Sequence, residues 1–191
     1  MEQKKMRNFV LLALFVALIF LLGQTPLGLI PLGWCNVTLL VIPVAVGTLY
    51  MGLKSGLALG LAFGATSFLS ALIKPSVLVS TLMGASPVLT AIMTFVPRLC
   101  VPLVIYGVNH LMVAKHPNVA AAVAAALGSV TNTVLYLGMM LLFYVLCGID
   151  NSAVLAAIGA TAGGAGPCEA IAAALICPPI VLALRKASHR A

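Results

Sequence analysis

Long apolar runs broken by Gly, Pro and isolated charges dominate the chain, which is the punctuation of a membrane protein that crosses the bilayer repeatedly. The pattern predicts six helical segments: about Asn8 to Leu22, Thr38 to Met51, Gly56 to Ile73, Pro87 to Val113, Asn118 to Leu146 and Pro167 to Leu184. Gln24-Thr25-Pro26 ends the first, and the loop LGLIPLGWCN after it carries the single tryptophan, Trp34. The turn GLKSG joins segments two and three, KPSVLVSTLMGASP joins three and four, and a small-residue loop with Asp150 precedes the sixth. Pro97 and Pro102 interrupt segment four, and each frees a carbonyl that needs a neighbour, water or a ligand. The expected fold class is all-α: one domain over residues 1–191, an integral bundle of six transmembrane helices. Lys4, Lys5 and Arg7 ahead of the first run have a signal-peptide flavour. No small-residue cleavage site follows, so that run is expected to remain as the first helix.

Composition sharpens this reading. With 63% hydrophobic and 7% charged residues and a mean hydropathy of +1.22, the chain is far from a soluble domain, where about 25% of residues are charged. Ten Lys and Arg against three acids give a net charge of +7, too few charges to track a nucleic-acid backbone. Their positions carry the information instead. Lys4, Lys5, Arg7, Lys54, Lys115, Arg185, Lys186 and Arg190 fall on one side of a six-span bundle, Lys74 stands alone on the other and Arg98 lies within a span. The positive-inside rule then puts both termini in the cytoplasm. The outer loops become Gln24 to Val37, Lys74 to Ser86 and Gly148 to Gly166, longer than the inner turns, so a ligand cavity is expected toward the outside.

Several motifs lead nowhere catalytic. The segment from Gly47 to Ser55 imitates a phosphate-binding loop, but Leu53 separates Gly52 from Lys54 and the context is a turn between spans. Ser86 and His110 suggest a protease dyad, yet 24 residues of one helix separate them by roughly 36 Å. The cysteines, five in number, show neither CxxC nor Cys/His spacing and read as small apolar residues. No enzyme, metal or cofactor is expected, and any ATP-driven work must come from partners. Gly52, Gly56, Gly60 and Gly64 recur every four residues, a spacing that lets helix backbones approach, most simply within the bundle. Ala13 and Ala17 form a similar but weaker pair on the first helix.

Polar residues inside spans are the informative ones, because a charge at the bilayer centre costs about 2.5 to 3.5 kcal/mol on insertion scales. Counted from the inner ends of their helices, Arg98 lies 15 residues up, Asn132 14, Glu169 15 and Thr38 13. At 1.5 Å per residue all four sit roughly 20 to 22 Å above the inner boundary. Ser67 and Ser70 lie near that level, and Gln24 tops the first helix. One reading is structural: Arg98 pairs with Glu169 while Asn132 and Thr38 bond nearby backbone. The other makes this layer the floor of an outward cavity, roofed by the loops with Trp34 and Gly84, with a helix N-terminus at Pro167 aimed into it.

The stretch from Ile30 to Phe68 carries Pro31, Gly33, Thr38, Ile42-Pro43-Val44, Gly52, Gly56, Gly60, Phe63-Gly64 and Ser67, and Pro97-Arg98, Thr131-Asn132-Thr133 and Pro167-x-Glu169-Ala170 follow. This pattern resembles the substrate-binding S components of energy-coupling factor (ECF) vitamin transporters, in particular their pantothenate and hydroxymethylpyrimidine group. The resemblance implies a cell-membrane protein, of bacterial type, that captures a water-soluble vitamin outside. It would then dock on a transmembrane coupling protein with two cytoplasmic ATPases and deliver its cargo to the cytoplasm. It implies that Ala13 and Ala17 pack against the coupling protein. Gly164-Ala165-Gly166 departs from relatives that carry an Asn there. For pantothenate, Arg98 would fork the carboxylate, Asn132 and Thr38 would bond the amide or hydroxyls, and Trp34 and Phe63 would cover the methyls. Glu169 would accept from a hydroxyl or hold Arg98. Hydroxymethylpyrimidine, pyridoxine and riboflavin remain open as cargo, as does a scaffold protein with a purely structural polar layer.

Overall fold

The computed structural model describes residues 2–25, 28–31, 36–114 and 117–190. Helix α1 (Glu2–Gln24) leads to a ribbon of two short antiparallel strands, β1 (Leu29–Pro31) and β2 (Asn36–Thr38), paired with Leu29 opposite Thr38. Then come α2 (Val41–Met51), α3 (Leu53–Ile73), α4 (Val77–Ala85), α5 (Pro87–Met112), α6 (Pro117–Leu146) and α7 (Ser152–Ala160). A single π-helical turn, Thr161–Ala165, joins α7 to α8 (Gly166–Arg190). Among the described residues, α1, α3, α5, α6 and the continuous run from α7 through α8 are long and apolar enough to cross a membrane, and α2 is a shorter apolar helix. The architecture is therefore the expected all-α membrane bundle, with its ribbon confined to one loop.

Two boundaries differ from expectation for physical reasons. Helix α2 starts at Val41 rather than Thr38, because Thr38 is taken up by the ribbon and Pro43 is accommodated without loss of a hydrogen bond in the first turn of a helix. The segment Gly148 to Gly166 is not a loop: most of it is helical, and its Gly and Ala residues are tolerated because membrane helices accept small residues. The connector after α3 likewise folds into α4. Ser76 caps α4 by accepting from the Val79 N–H, and Ser86 caps α5 from the Leu89 N–H with Pro87 at the first helical position. Asp150 holds the start of α7 by accepting from the Ser152 N–H and hydroxyl, bonds that keep its carboxyl below its ordinary range.

Helix α2 is the axis of the bundle, touching α1, α3, α5, α6 and α8. Both its faces are buried, from Val41 to Leu49. One core, built on Phe15, Ile19, Val44, Leu59, Val101, Ile105 and Cys177, fills the end of the bundle that holds the chain termini. There Arg7 Nη1 donates to the Ser188 carbonyl at 3.4 Å and Arg185 Nη2 to that of Leu49 at 3.4 Å. A second core, with Val79, Leu82, Met93, Phe143, Tyr144 and Val154, binds α4 and α7 to the opposite end. The Tyr144 hydroxyl pins α4 by donating to the Leu78 carbonyl at 2.6 Å.

The glycines at four-residue spacing serve packing inside the bundle. Gly52 turns α2 into α3 with φ of +88°, a conformation that side chains disfavour. A Cβ on Gly60 would stand 2.7 Å from the Arg98 carbonyl, and one on Gly64 would stand 2.7 Å from the Phe95 ring. These two positions let α3 lie against α5. Gly60→Val is therefore expected to destabilise the fold by about 1 to 3 kcal/mol through overpacking, read as a fall of several degrees in the Tm of the solubilised protein. Gly84→Val, at a site with open space around it, should leave the Tm nearly unchanged; equal melting of both variants would refute the close-approach role.

Candidate functional site

The site grows out of a defect in α5. Pro97 has no N–H, so the Met93 carbonyl four residues back loses its helical partner. Arg98 takes that place: its Nη1 donates to Met93 O at 3.2 Å. The proline thus creates the anchor for the charge that follows it. Pro102 repeats the operation on the carbonyl of Arg98 itself, which is the atom that Gly60 accommodates.

Two rings hold the guanidinium. Its central carbon lies 4.4 Å from the Tyr136 ring centroid and 5.3 Å from that of Phe63, within cation–π range. Arg98 is only 8% exposed, and its Nε is buried with no hydrogen-bond partner. Asn132, one turn before Tyr136 on α6, is equally buried, and its Oδ1 is also without a partner. Buried polar atoms without partners are rare and costly. Both residues line a single cavity of about 520 Å³.

The opposite wall depends on the π-helical turn. Pro167 cannot donate, and its ring would press on the carbonyl four residues back, so the helix widens and the Gly166 N–H reaches Thr161 O instead. The segment stays helical, with Thr161, Ala165 and Glu169 all lining the cavity. Thr133 Oγ1 donates to Glu169 Oε2 at 3.4 Å, and the carboxylate acts electrostatically on Arg98. At the mouth, Gln24 Nε2 donates to Ser70 Oγ at 3.2 Å and Ser70 Oγ to the Gly23 carbonyl at 3.3 Å, closing the seam between α1 and α3.

The cavity brings together Phe63, Ser67, Arg98, Asn132 and Glu169. Thr38 lies in β2 and not on a helix at their level. Gly84 is exposed on α4, whose contribution to the wall comes from Ser76 and Val79 instead. Trp34 lies outside the described residues. Pro167 offers no free helix N-terminus, since the helical run passes straight through it. Ala13 and Ala17 face outward on α1, while Phe15 and Ile19 between and beyond them point into the core. Tyr136, Thr133 and Lys74 were not expected in the wall. The first was findable, because a residue four positions after Asn132 shares its helix face.

The family model described as the substrate-specific component of ECF transporters matches residues 7–181. The chain is also similar to the pantothenic acid transporter PanT of Lactococcus lactis subsp. cremoris (strain MG1363), with 29% identity over 160 residues, covering 75% of this chain and 77% of that protein.

Proposed function

The chain belongs to the family of ECF transporter substrate-specific components, membrane proteins of transport and not enzymes, and we propose that its cargo is pantothenate, bound in the cavity lined by Arg98 and Asn132. The observation that carries this reading is the buried, ring-clamped guanidinium of Arg98, a residue that lines the cavity. A carboxylate pairs with that guanidinium, and a charge-assisted bond is about twice as strong as a neutral one. Asn132 Oδ1 accepts from the amide N–H or a hydroxyl, Ser67 serves the second hydroxyl, and the Phe63 edge covers the gem-dimethyl carbon. The volume suits a small ligand. Likeness to a pantothenic acid transporter supports the same choice.

Flat neutral rings such as hydroxymethylpyrimidine or pyridoxine fit less well, because the guanidinium already lies over the Phe63 and Tyr136 rings. Riboflavin asks for more stacking surface than the wall provides. By the positive-inside rule we place both termini in the cytoplasm and the cavity toward the outside. Delivery then proceeds by docking, with Ala13 and Ala17 against the transmembrane coupling protein that two ATPases drive.

The test is thermal. At a concentration one hundred times its Kd, a ligand that binds only the folded state stabilises it by about 2.7 kcal/mol. Pantothenate should therefore raise the Tm of the detergent-solubilised chain by several degrees, while hydroxymethylpyrimidine, pyridoxine and riboflavin should not. A shift with one of those and none with pantothenate would overturn the assignment.

A further inference from the structure

Among the described residues, Lys74 stands apart from the cations at the bundle end that holds the termini. The bundle end that holds the termini carries Lys5, Arg7, Lys54, Arg185 and Lys186, whereas Lys74 closes α3 at the opposite end. A lone cation there runs against the usual distribution of Lys and Arg around membrane helices, which invites a reason. The structure offers one: Lys74 is exposed, yet it lines the same cavity as Arg98. Its backbone is fixed at the rim, with its N–H bonded to Ser70 O at 2.8 Å and Pro75 next in the chain, which restricts the residue before it. Ser70 is in turn tied to α1 through Gly23 and Gln24.

Among the described lining residues the charged groups are Lys74, Arg98 and Glu169. Two cations and one carboxylate leave a cavity that complements a monoanion. One cation is deep and buried, the other shallow and solvated, so the cavity carries a positive path from its mouth to its floor. We propose that Lys74 is the capture residue of this path: it draws the carboxylate of the substrate to the rim and passes it to Arg98, which makes the protein selective for monoanionic cargo. This rests on the reading of Arg98 as the carboxylate site. It adds a second residue with a different task, because a solvated rim charge governs association rate while a buried charge governs dissociation.

Favourable contact with the carbonyl end of the α3 dipole is the competing explanation of Lys74. The two separate by kinetics. In rapid mixing of the full chain with pantothenate, Lys74→Gln should slow association about tenfold at low salt, within the range of electrostatic steering. It should also flatten the salt dependence and leave dissociation unchanged. Lys74→Glu should slow association further, and Lys74→Arg should restore it. Pantothenyl alcohol, which lacks the carboxylate, should bind at the same rate to the wild type and to each variant. A Lys74→Gln protein with wild-type association and salt dependence overturns the proposal, even if its Tm falls. Should the wild type ignore pantothenate but bind a different carboxylate vitamin at a Lys74-dependent rate, the capture role stands and only the choice of vitamin fails. A wild type that ignores pantothenate and every other carboxylate vitamin but binds a neutral vitamin, at a rate independent of salt and of Lys74, overturns both.

Discussion

Arg98→Ala is expected to weaken pantothenate binding by roughly 30-fold to several thousand-fold, the span that corresponds to 2 to 5 kcal/mol for truncating one partner of a buried charge pair. The substitution also removes the donor to the Met93 carbonyl and the cation that faces Glu169, so the empty protein should melt somewhat lower, and affinity is compared on protein shown to be folded. Arg98→Lys should recover little. A lysine ammonium has no planar fork for a carboxylate and makes a poorer partner for the rings that hold the guanidinium. It would also have to choose between the Met93 carbonyl and the ligand. Calorimetric titration of the three proteins decides the matter: unchanged pantothenate affinity in Arg98→Ala would remove the carboxylate role.

Uptake should fail in a different way when α1 is altered. Ala13→Trp with Ala17→Trp is expected to leave pantothenate affinity within about twofold of wild type while reducing uptake by the reconstituted transporter to background. The structure separates the two readouts. Phe15 and Ile19 fix α1 to the core, whereas Ala13 and Ala17 point away from it, beside exposed Phe9, Val10 and Leu14. Two indoles there disturb no internal contact but forbid close approach of a second helix, and small residues are what permit such approach in membranes. Uptake in proteoliposomes containing the coupling protein and its ATPases checks this, and normal transport by the doubly substituted protein would sink the docking role.

Much of the site was legible in the sequence because apolar spans make exceptions conspicuous. Arg98, Asn132 and Glu169 stood out as polar residues in hydrophobic runs, and a constant rise per residue put them at one depth. The same arithmetic failed for Thr38, since it presumed a helix that begins three residues later, at Val41. Gly148 to Gly166 looks like a loop for a different reason: its glycines weaken soluble helices but are common in membrane ones, while its alanines are strong helix formers in either setting. Tyr136 stayed hidden because an aromatic in an apolar run looks like lipid-facing surface until a cation is found over it. The link between Pro97 and Arg98 was half visible. A freed carbonyl was expected, but nothing in the one-dimensional pattern said that the adjacent side chain would claim it.

The widened turn at Thr161–Ala165 also limits how the chain can change. It absorbs one residue more than an α-helix would, so the angular phase of everything after it depends on the number of residues in this stretch. Deleting a single residue would turn α8 by about 100° relative to α7 and advance it by about 1.5 Å, carrying Glu169 off the cavity wall and breaking the fit of α8 against α6. A side chain at Gly163 would meet open space, whereas Gly164 is buried and a Cβ on Gly166 would stand 3.1 Å from the Thr161 carbonyl. The length of the segment is fixed. Among transporters of this shape, changes of cargo are therefore to be sought in substitutions along 161–169 rather than in insertions or deletions there.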